Sequence, residues 1–295
     1  MTFHPFAPTS GMFDRVVASS KPISLEKMNA EASLMTRLDQ KYFVPREVLG
    51  ELLARYSGLR ILEIGSERVH DYRSTYFDTS DFRFFRDHVQ DRRHRNKVRI
   101  RTYATGDSFL EVKSKGKRGI TVKERIPLAG AQELDPSALA FVEQQIPRMP
   151  GVSAELLPVL ESHYDRATFL HGGNRITCDL GLRFVAAGPR AGRAPVAHGP
   201  AEVLVETKSA TGQSPIDREL RSLGIRPVSV SKYGVGMCLI YPQLPSNKWH
   251  RVLRRYFREA LERSRALPGR RTDGRNVQNL LSRNDTGVTT AIMMS

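Results

Sequence analysis

Lys97-Val98-Arg99-Ile100-Arg101 places a cation on every second residue, with β-branched residues between them. In a strand, residues i, i+2 and i+4 share a face. The segment therefore has one face of charge and one of Val98 and Ile100. Five further segments read the same way: Arg37-Leu38-Asp39-Gln40-Lys41, Phe109-Leu110-Glu111-Val112-Lys113, Thr121-Val122-Lys123-Glu124-Arg125, Arg175-Ile176-Thr177-Cys178-Asp179 and Leu204-Val205-Glu206-Thr207-Lys208. A half-polar strand ordinarily turns its charges to water. A solvated face, however, mixes Ser, Thr, Gln, Glu and Lys, whereas these faces are mostly Arg and Lys with one carboxylate in most. The pattern predicts an α+β fold: a closed antiparallel β-barrel with a charged interior, its apolar faces packed outward under flanking helices. Unpaired buried cations are costly to desolvate, so such an interior requires a polyanionic ligand, water or both.

Outward from these segments, strands are expected near 35–44, 59–64, 69–78, 97–104, 108–115, 120–128, 159–171, 174–186 and 201–209. Pro45 opens an amphipathic helix to Arg55, with Val48, Leu49, Leu52 and Leu53 on one face. Short helices are expected at 24–32, 81–88, 215–223 and 231–240, and two helical segments at 136–157, broken by Pro147 and Pro150. Residues 116–119 read as a basic turn and 188–200 as a surface loop. Three regions follow: a flexible segment over 1–23, the barrel over 24–245, and a basic helix with a disordered tail over 246–295.

The net charge is +15, from 46 basic and 31 acidic residues. Residues 246–295 hold 11 Lys/Arg against 4 Asp/Glu, so nearly half of that excess belongs to the tail. Within it, Trp249, Val252, Leu253, Tyr256, Phe257, Ala260 and Leu261 form a helical stripe, with Arg251, Arg254, Arg255, Arg258, Arg263 and Arg265 on the other faces. The stripe packs either on the chain's own barrel or on a partner: a membrane protein or an anionic membrane surface. Two cysteines, Cys178 and Cys238, make neither a disulfide framework nor a zinc site and read as core thiols. With no leader-like or membrane-spanning run, the expected location is cytoplasmic, with a peripheral place at the inner face of the membrane if the tail docks there.

Eight motifs taken together resemble a known family: Thr36-Arg37-Leu38-Asp39-Gln40-Lys41-Tyr42-Phe43-Val44, Ser74-Thr75-Tyr76-Phe77-Asp78-Thr79, Lys97-Val98-Arg99-Ile100-Arg101-Thr102-Tyr103, Phe109-Leu110-Glu111-Val112-Lys113-Ser114, Tyr164-Asp165-Arg166-Ala167-Thr168-Phe169, Arg175-Ile176-Thr177-Cys178-Asp179, Val205-Glu206-Thr207-Lys208 and Ser231-Lys232-Tyr233-Gly234. From about residue 24 to 242 the chain resembles the catalytic domain of the vacuolar transporter chaperone (VTC) polyphosphate polymerases, within the triphosphate tunnel metalloenzyme (CYTH-like) superfamily. The resemblance implies a triphosphate tunnel fold acting on ATP and polyphosphate. It assigns phosphate-gripping roles to Arg37, Lys41, Arg99, Arg101, Lys113, Lys123, Arg166 and Arg175, with Lys208 and Lys232 as additions, and a metal-binding role to Glu206.

The residues themselves support an anion site. Arg grips two phosphate oxygens with its planar fork and Lys supplies a point charge. By strand parity the inward cations are Arg37, Lys41, Arg99, Arg101, Lys113, Lys123, Arg125, Arg166, Arg175 and Lys208, with Lys232 added from the start of the 231–240 helix; the inward carboxylates are Asp39, Glu111, Asp179 and Glu206. Carboxylates repel phosphate, so their presence points to Mn²⁺ or Mg²⁺ bridging protein and ligand oxygens. For Asp39 and Glu111 a salt bridge to a neighbouring cation is the equal alternative. Hydrolytic relatives open with Glu-x-Glu-x-Lys; Arg37-x-Asp39-x-Lys41 exchanges the first carboxylate for a cation, which leans toward the polymerases. Three functions stay open: a polyphosphate polymerase, a metal-dependent triphosphatase on the same fold, and a non-catalytic module that binds polyphosphate. No phosphate-binding Gly-rich loop is present, and no specific nucleic-acid partner is expected.

Overall fold

The computed structural model describes residues 11–32, 38–115, 121–128, 133–188 and 196–266. Arg37, the 116–119 turn, most of the 188–200 loop and the tail beyond Pro268 lie outside the described residues.

The alternating segments form strands of one sheet. Its main path runs β2 (Leu38–Val44), β11 (Val203–Ser209), β9 (Asn174–Ala186), β8 (Leu157–His171), β4 (Val69–Asp78), β5 (Arg95–Tyr103), β6 (Ser108–Lys115) and β7 (Thr121–Leu128), each antiparallel to the next. Three short strands join at the side: β3 (Arg60–Leu62) on β8, β1 (Lys21–Ile23) parallel to β3, and β10 (Ala197–His198) on β9. The expected closed barrel is corrected here: β2 and β7 end the path, and no backbone pairing joins them among the described residues. The sheet is an open one, curved enough that Lys113 on β6 interacts electrostatically with Glu206, Lys41 and Asp39 at its other end. The composition of β7 accounts for the free edge. Pro127 has no N–H to donate, and Lys123, Glu124 and Arg125 are exposed, which are devices that keep an edge strand unpaired.

The apolar faces pack outward under helices. Val98 and Ile100 of β5 and Leu110 and Val112 of β6 are buried with Ala138 and Val142 of α5 (Pro136–Gln145); each such aliphatic burial is worth roughly 1.5–3 kcal/mol. Tyr42, Val44, Phe169, Cys178, Val203 and Val205 are covered by α1 (Met12–Ser19), α3 (Arg46–Ala54) and α6 (Pro215–Ser222). The helix starts carry their own signals: Ser214 caps α6 in a capping box with Asp217, and Asp135 accepts from the Ala138 N–H at 2.7 Å. The flexible segment expected over 1–23 is corrected from residue 12. There α1 buries Phe13 and Val16, a short apolar stripe hidden in a Pro- and Ser-rich setting.

A third apolar cluster fills one end of the curved sheet. A β-bulge between β8 and β9, with Gly181 at φ 60°, reverses the alternation and turns Leu182 and Phe184 to the concave side. They meet α7 (Lys232–Ile240), α4 (Arg83–Val89) and the C-terminal helices α8 (His250–Tyr256) and α9 (Arg258–Ala266). A Cβ on Gly234 would lie 2.3 Å from the Trp249 ring, so this glycine lets the ring seat on α7. Of the two uses foreseen for the tail stripe, packing on the chain's own sheet is the one adopted: Trp249, Val252, Leu253, Phe257 and Ala260 are buried there. Residues 246–266 therefore share the core of the region before them. Asp78 ties α4 to α7 by accepting from the N–H groups of Thr79, Phe84 and Phe85 and from the Tyr233 hydroxyl; burial outweighs these bonds and pushes its carboxyl up to about 6.

Candidate active site

The concave face is the charged one. Arg99, Arg101 and Lys97 share the face of β5 opposite to Val98 and Ile100, and register continues that face across Glu111 and Lys113 on β6, Lys123 and Arg125 on β7, and Tyr76 and Tyr72 on β4. On the other side it comprises Tyr164 and Arg166 on β8, Asp179 and Arg175 on β9, Glu206 and Lys208 on β11, and Lys41 and Asp39 on β2.

Three ion-pair nodes organise this lumen. Glu111, 2% exposed, accepts from Arg99 Nε at 2.8 Å and from Lys123 Nζ at 2.6 Å. Burial acts to raise its carboxyl, but Arg99, Arg101 and Lys123 outweigh it and hold the group at about 2. Asp179, 1% exposed, receives the fork of Arg166, with Nη2 at 2.8 Å, and the Lys232 ammonium. Arg166 and Lys232 likewise overcome burial and hold Asp179 below the usual carboxylate range. Glu206 is paired with Lys208 and lies 3.7 Å from Lys41, and Lys208 reaches Asp39 at 3.4 Å.

Lys97, Arg101 and Lys113 have no carboxylate at ion-pair distance among the described residues. Lys97 donates to Ser231 Oγ at 3.0 Å, and Arg101 donates to the Tyr164 hydroxyl at 3.3 Å and lies over the Tyr72 ring at 5.5 Å. Lys113 forms no ion pair among the described residues; its side chain as a whole is exposed, but desolvation around the ammonium lowers it, Glu206 and Asp39 act to raise it, and Lys41 and Arg99 add to the lowering. Burial, then Lys113, Arg99, Lys41 and Lys248, push Lys97 well below the usual lysine range. Tyr164 is raised by burial, but Arg101, Arg166 and Lys232 more than reverse this and pull its phenol down. The lumen thus holds positive charge beyond what its carboxylates neutralise, a configuration that a bound polyanion stabilises.

The structure gathers Lys41, Asp39, Arg99, Arg101, Glu111, Lys113, Lys123, Arg166, Glu206, Lys208 and Lys232 in this lumen. Arg125 is exposed on β7, its guanidinium 4.8 Å from the Phe109 ring. Arg175 has the expected parity but spends donors on α2 (Leu25–Glu31), reaching Asn29 Oδ1 at 2.9 Å and the Met28 carbonyl. Glu111 takes the salt-bridge alternative, both oxygens being engaged. Lys97, Tyr72, Tyr76 and Tyr164 line the lumen although none of them was assigned to the site from sequence. Parity with Arg99 exposes Lys97 in the sequence; the tyrosines carry no such signal, because an aromatic in a strand reads first as core. Among the described residues no group of three or more His, Cys, Asp or Glu side chains forms a metal cluster.

A model of the VTC domain matches residues 36–241. The chain belongs to the VTC domain family. The match ends at the close of α7, so α8 and α9 lie beyond it while completing its core. Solved structures similar in part include a candidate adenylate cyclase from Bacillus halodurans (15% identity, 66% of this chain and 94% of that one, TM-score 0.44). Another from Vibrio parahaemolyticus shows 11% identity over 66% of this chain and 94% of that one, at a TM-score of 0.40. A Pyrococcus horikoshii protein shows 13% identity over 67% and 95%, at 0.37. These are distant likenesses, and the family assignment rests on the domain match. No curated protein matches the chain.

Proposed function

We propose that this VTC domain is a polyphosphate polymerase that transfers the terminal phosphoryl group of ATP to the end of a growing inorganic polyphosphate chain. The observation that carries the reading is the set of lumen cations with no carboxylate at ion-pair distance among the described residues, Lys97, Arg101 and Lys113, beside the paired ones. Phosphoryl transfer needs in-line positioning and neutralisation of charge on the transferring group. Arg99, Arg101, Arg166, Lys41 and Lys113 would grip the phosphates. The bond from the γ-phosphorus to the bridging oxygen breaks, ADP leaves with that oxygen, and a terminal oxygen of the chain forms the new bond.

Hydrolysis by the same lumen is the second reading. It needs a group that activates water, and Glu111 and Asp179 are poor bases because two cations hold each of them ionised. Together with Arg37 in the place of a carboxylate, this favours the polymerase.

For Mn²⁺ or Mg²⁺ the fitting residues are Glu206 and Asp39. Both contact the Lys208 ammonium, which already occupies a cation's place between them. A hard cation binds through one or two carboxylates plus substrate phosphates; when bound it would neutralise charge on the phosphoryl oxygens. Glu111, enclosed by Arg99 and Lys123, does not fit this role. The exposed Arg251, Arg254, Arg255 and Arg258 leave docking to an anionic membrane surface or an acidic membrane protein within this proposal, at roughly 1 kcal/mol per charge near such a surface.

The test is purified protein with ATP and Mn²⁺ or Mg²⁺, resolved on a polyphosphate gel. A phosphate ladder is expected, and Glu206→Gln should abolish it while metal-free triphosphate binding survives. Orthophosphate alone would establish the triphosphatase, and binding without turnover the non-catalytic module.

A further inference from the structure

Building on the triphosphate reading of the lumen, we propose that Tyr103 and Phe109 form a stacking platform for the base of a nucleoside triphosphate. Both rings lie on the lumen face, at the β5–β6 hairpin end of the row Lys97, Arg99, Arg101 and its neighbour Glu111. Tyr103 follows Arg101 by two residues, roughly 7 Å further along the strand. A base tethered through its ribose to phosphates gripped at Arg99 and Arg101 reaches that distance.

The rings are poorly explained as core. Phe109 is half-buried and belongs to none of the buried apolar clusters, and half-buried Tyr103 touches only the rim of one. A large aromatic side chain at the edge of a cationic cavity needs another use. The rings are held in place: Tyr72, Tyr103 and Phe109 form an edge-to-face ladder with centroids 5.1 Å and 5.9 Å apart at 67° and 84°. The face of Phe109 already receives a flat, electron-poor group, the Arg125 guanidinium at 4.8 Å. A purine offers the same planar shape and can displace the guanidinium or extend the stack. A platform of this kind reads the base by its plane, so it separates nucleotides from inorganic triphosphate without hydrogen-bond recognition.

Calorimetric titration of the full chain with ATP and, separately, with inorganic triphosphate tests this. Phe109→Ala and Tyr103→Ala should each weaken ATP binding about tenfold, the scale of one lost base–aromatic stack, and leave triphosphate affinity unchanged. Phe109→Leu keeps the apolar bulk, protects against a folding defect, and should lose ATP affinity as Phe109→Ala does; melting curves confirm that each variant is folded. If ATP and triphosphate weaken together, if neither changes, or if Phe109→Leu binds ATP like the parent chain, the platform is wrong while the lumen reading stands. If the parent chain binds neither ligand, the lumen reading fails and the platform with it.

Discussion

Asp179 shows how single residues set the balance of the lumen. Its carboxylate, buried on β9, is the shared partner of Arg166 and Lys232. Asp179→Asn leaves both cations buried without a counter-charge, and breaking a buried pair in this way costs on the order of 3–5 kcal/mol. The melting temperature of the variant should fall sharply, and inorganic triphosphate should recover more of it than it adds to the parent chain; a variant that melts like the parent would show that these cations need no anion. At this scale much of the site is legible in the sequence, because period-two alternation fixes which face a residue takes. That logic places Arg99, Arg101 and Asp179 and would equally place Lys97, whereas Lys232, at the start of helix α7, lies beyond its reach. What alternation cannot supply is the partner. Glu111 faces the lumen as expected, yet whether it meets cations or a metal depends on side chains from β5 and β7 that only the register brings alongside. Arg175 has the right parity and is drawn to α2, which a reading of β9 alone cannot foresee.

At the scale of elements, the C-terminal helices illustrate what an amphipathic stripe can and cannot say. The 3.6-residue repeat from Trp249 to Leu261 marks a helix with a buried face, but nothing local names the surface that buries it. Here it is the chain's own: Trp249 sits on Gly234 and against Phe85, and Phe257 packs edge-on to Phe43 at 5.7 Å. Trp249→Ala should therefore cost about 3–5 kcal/mol of unfolding free energy in urea titration, and deletion of 246–295 should unfold the domain. An unchanged urea midpoint for Trp249→Ala would mean that the stripe is not structural. The same limit explains α1, whose two buried residues, Phe13 and Val16, are too few to stand out beside prolines and serines.

The whole molecule is a curved sheet that turns its aliphatic faces outward, under α1, α3, α5 and α6, and its charges inward. Closure of the sheet was the part of the architecture least readable from sequence. Alternation specifies faces, whereas pairing between the first and last strands depends on Pro127 and the exposed charges of β7 as much as on apolar pattern. The open seam does not dissolve the lumen, because Lys113 still interacts electrostatically with Glu206, Lys41 and Asp39 across it. One end is filled by α7, α8 and α9 with the apolar residues packed on them, so the excess charge is concentrated in the remaining space. That excess is the central claim, and Arg101 tests it most directly, since its loss orphans no carboxylate. The measurement is the calorimetric affinity for inorganic triphosphate of the parent chain and of Arg101→Ala, both shown to be folded. The parent should bind, and the variant should bind at least about tenfold more weakly, the scale of a lost charged hydrogen bond; equal affinities, or no binding by the parent, would contradict a triphosphate-holding lumen.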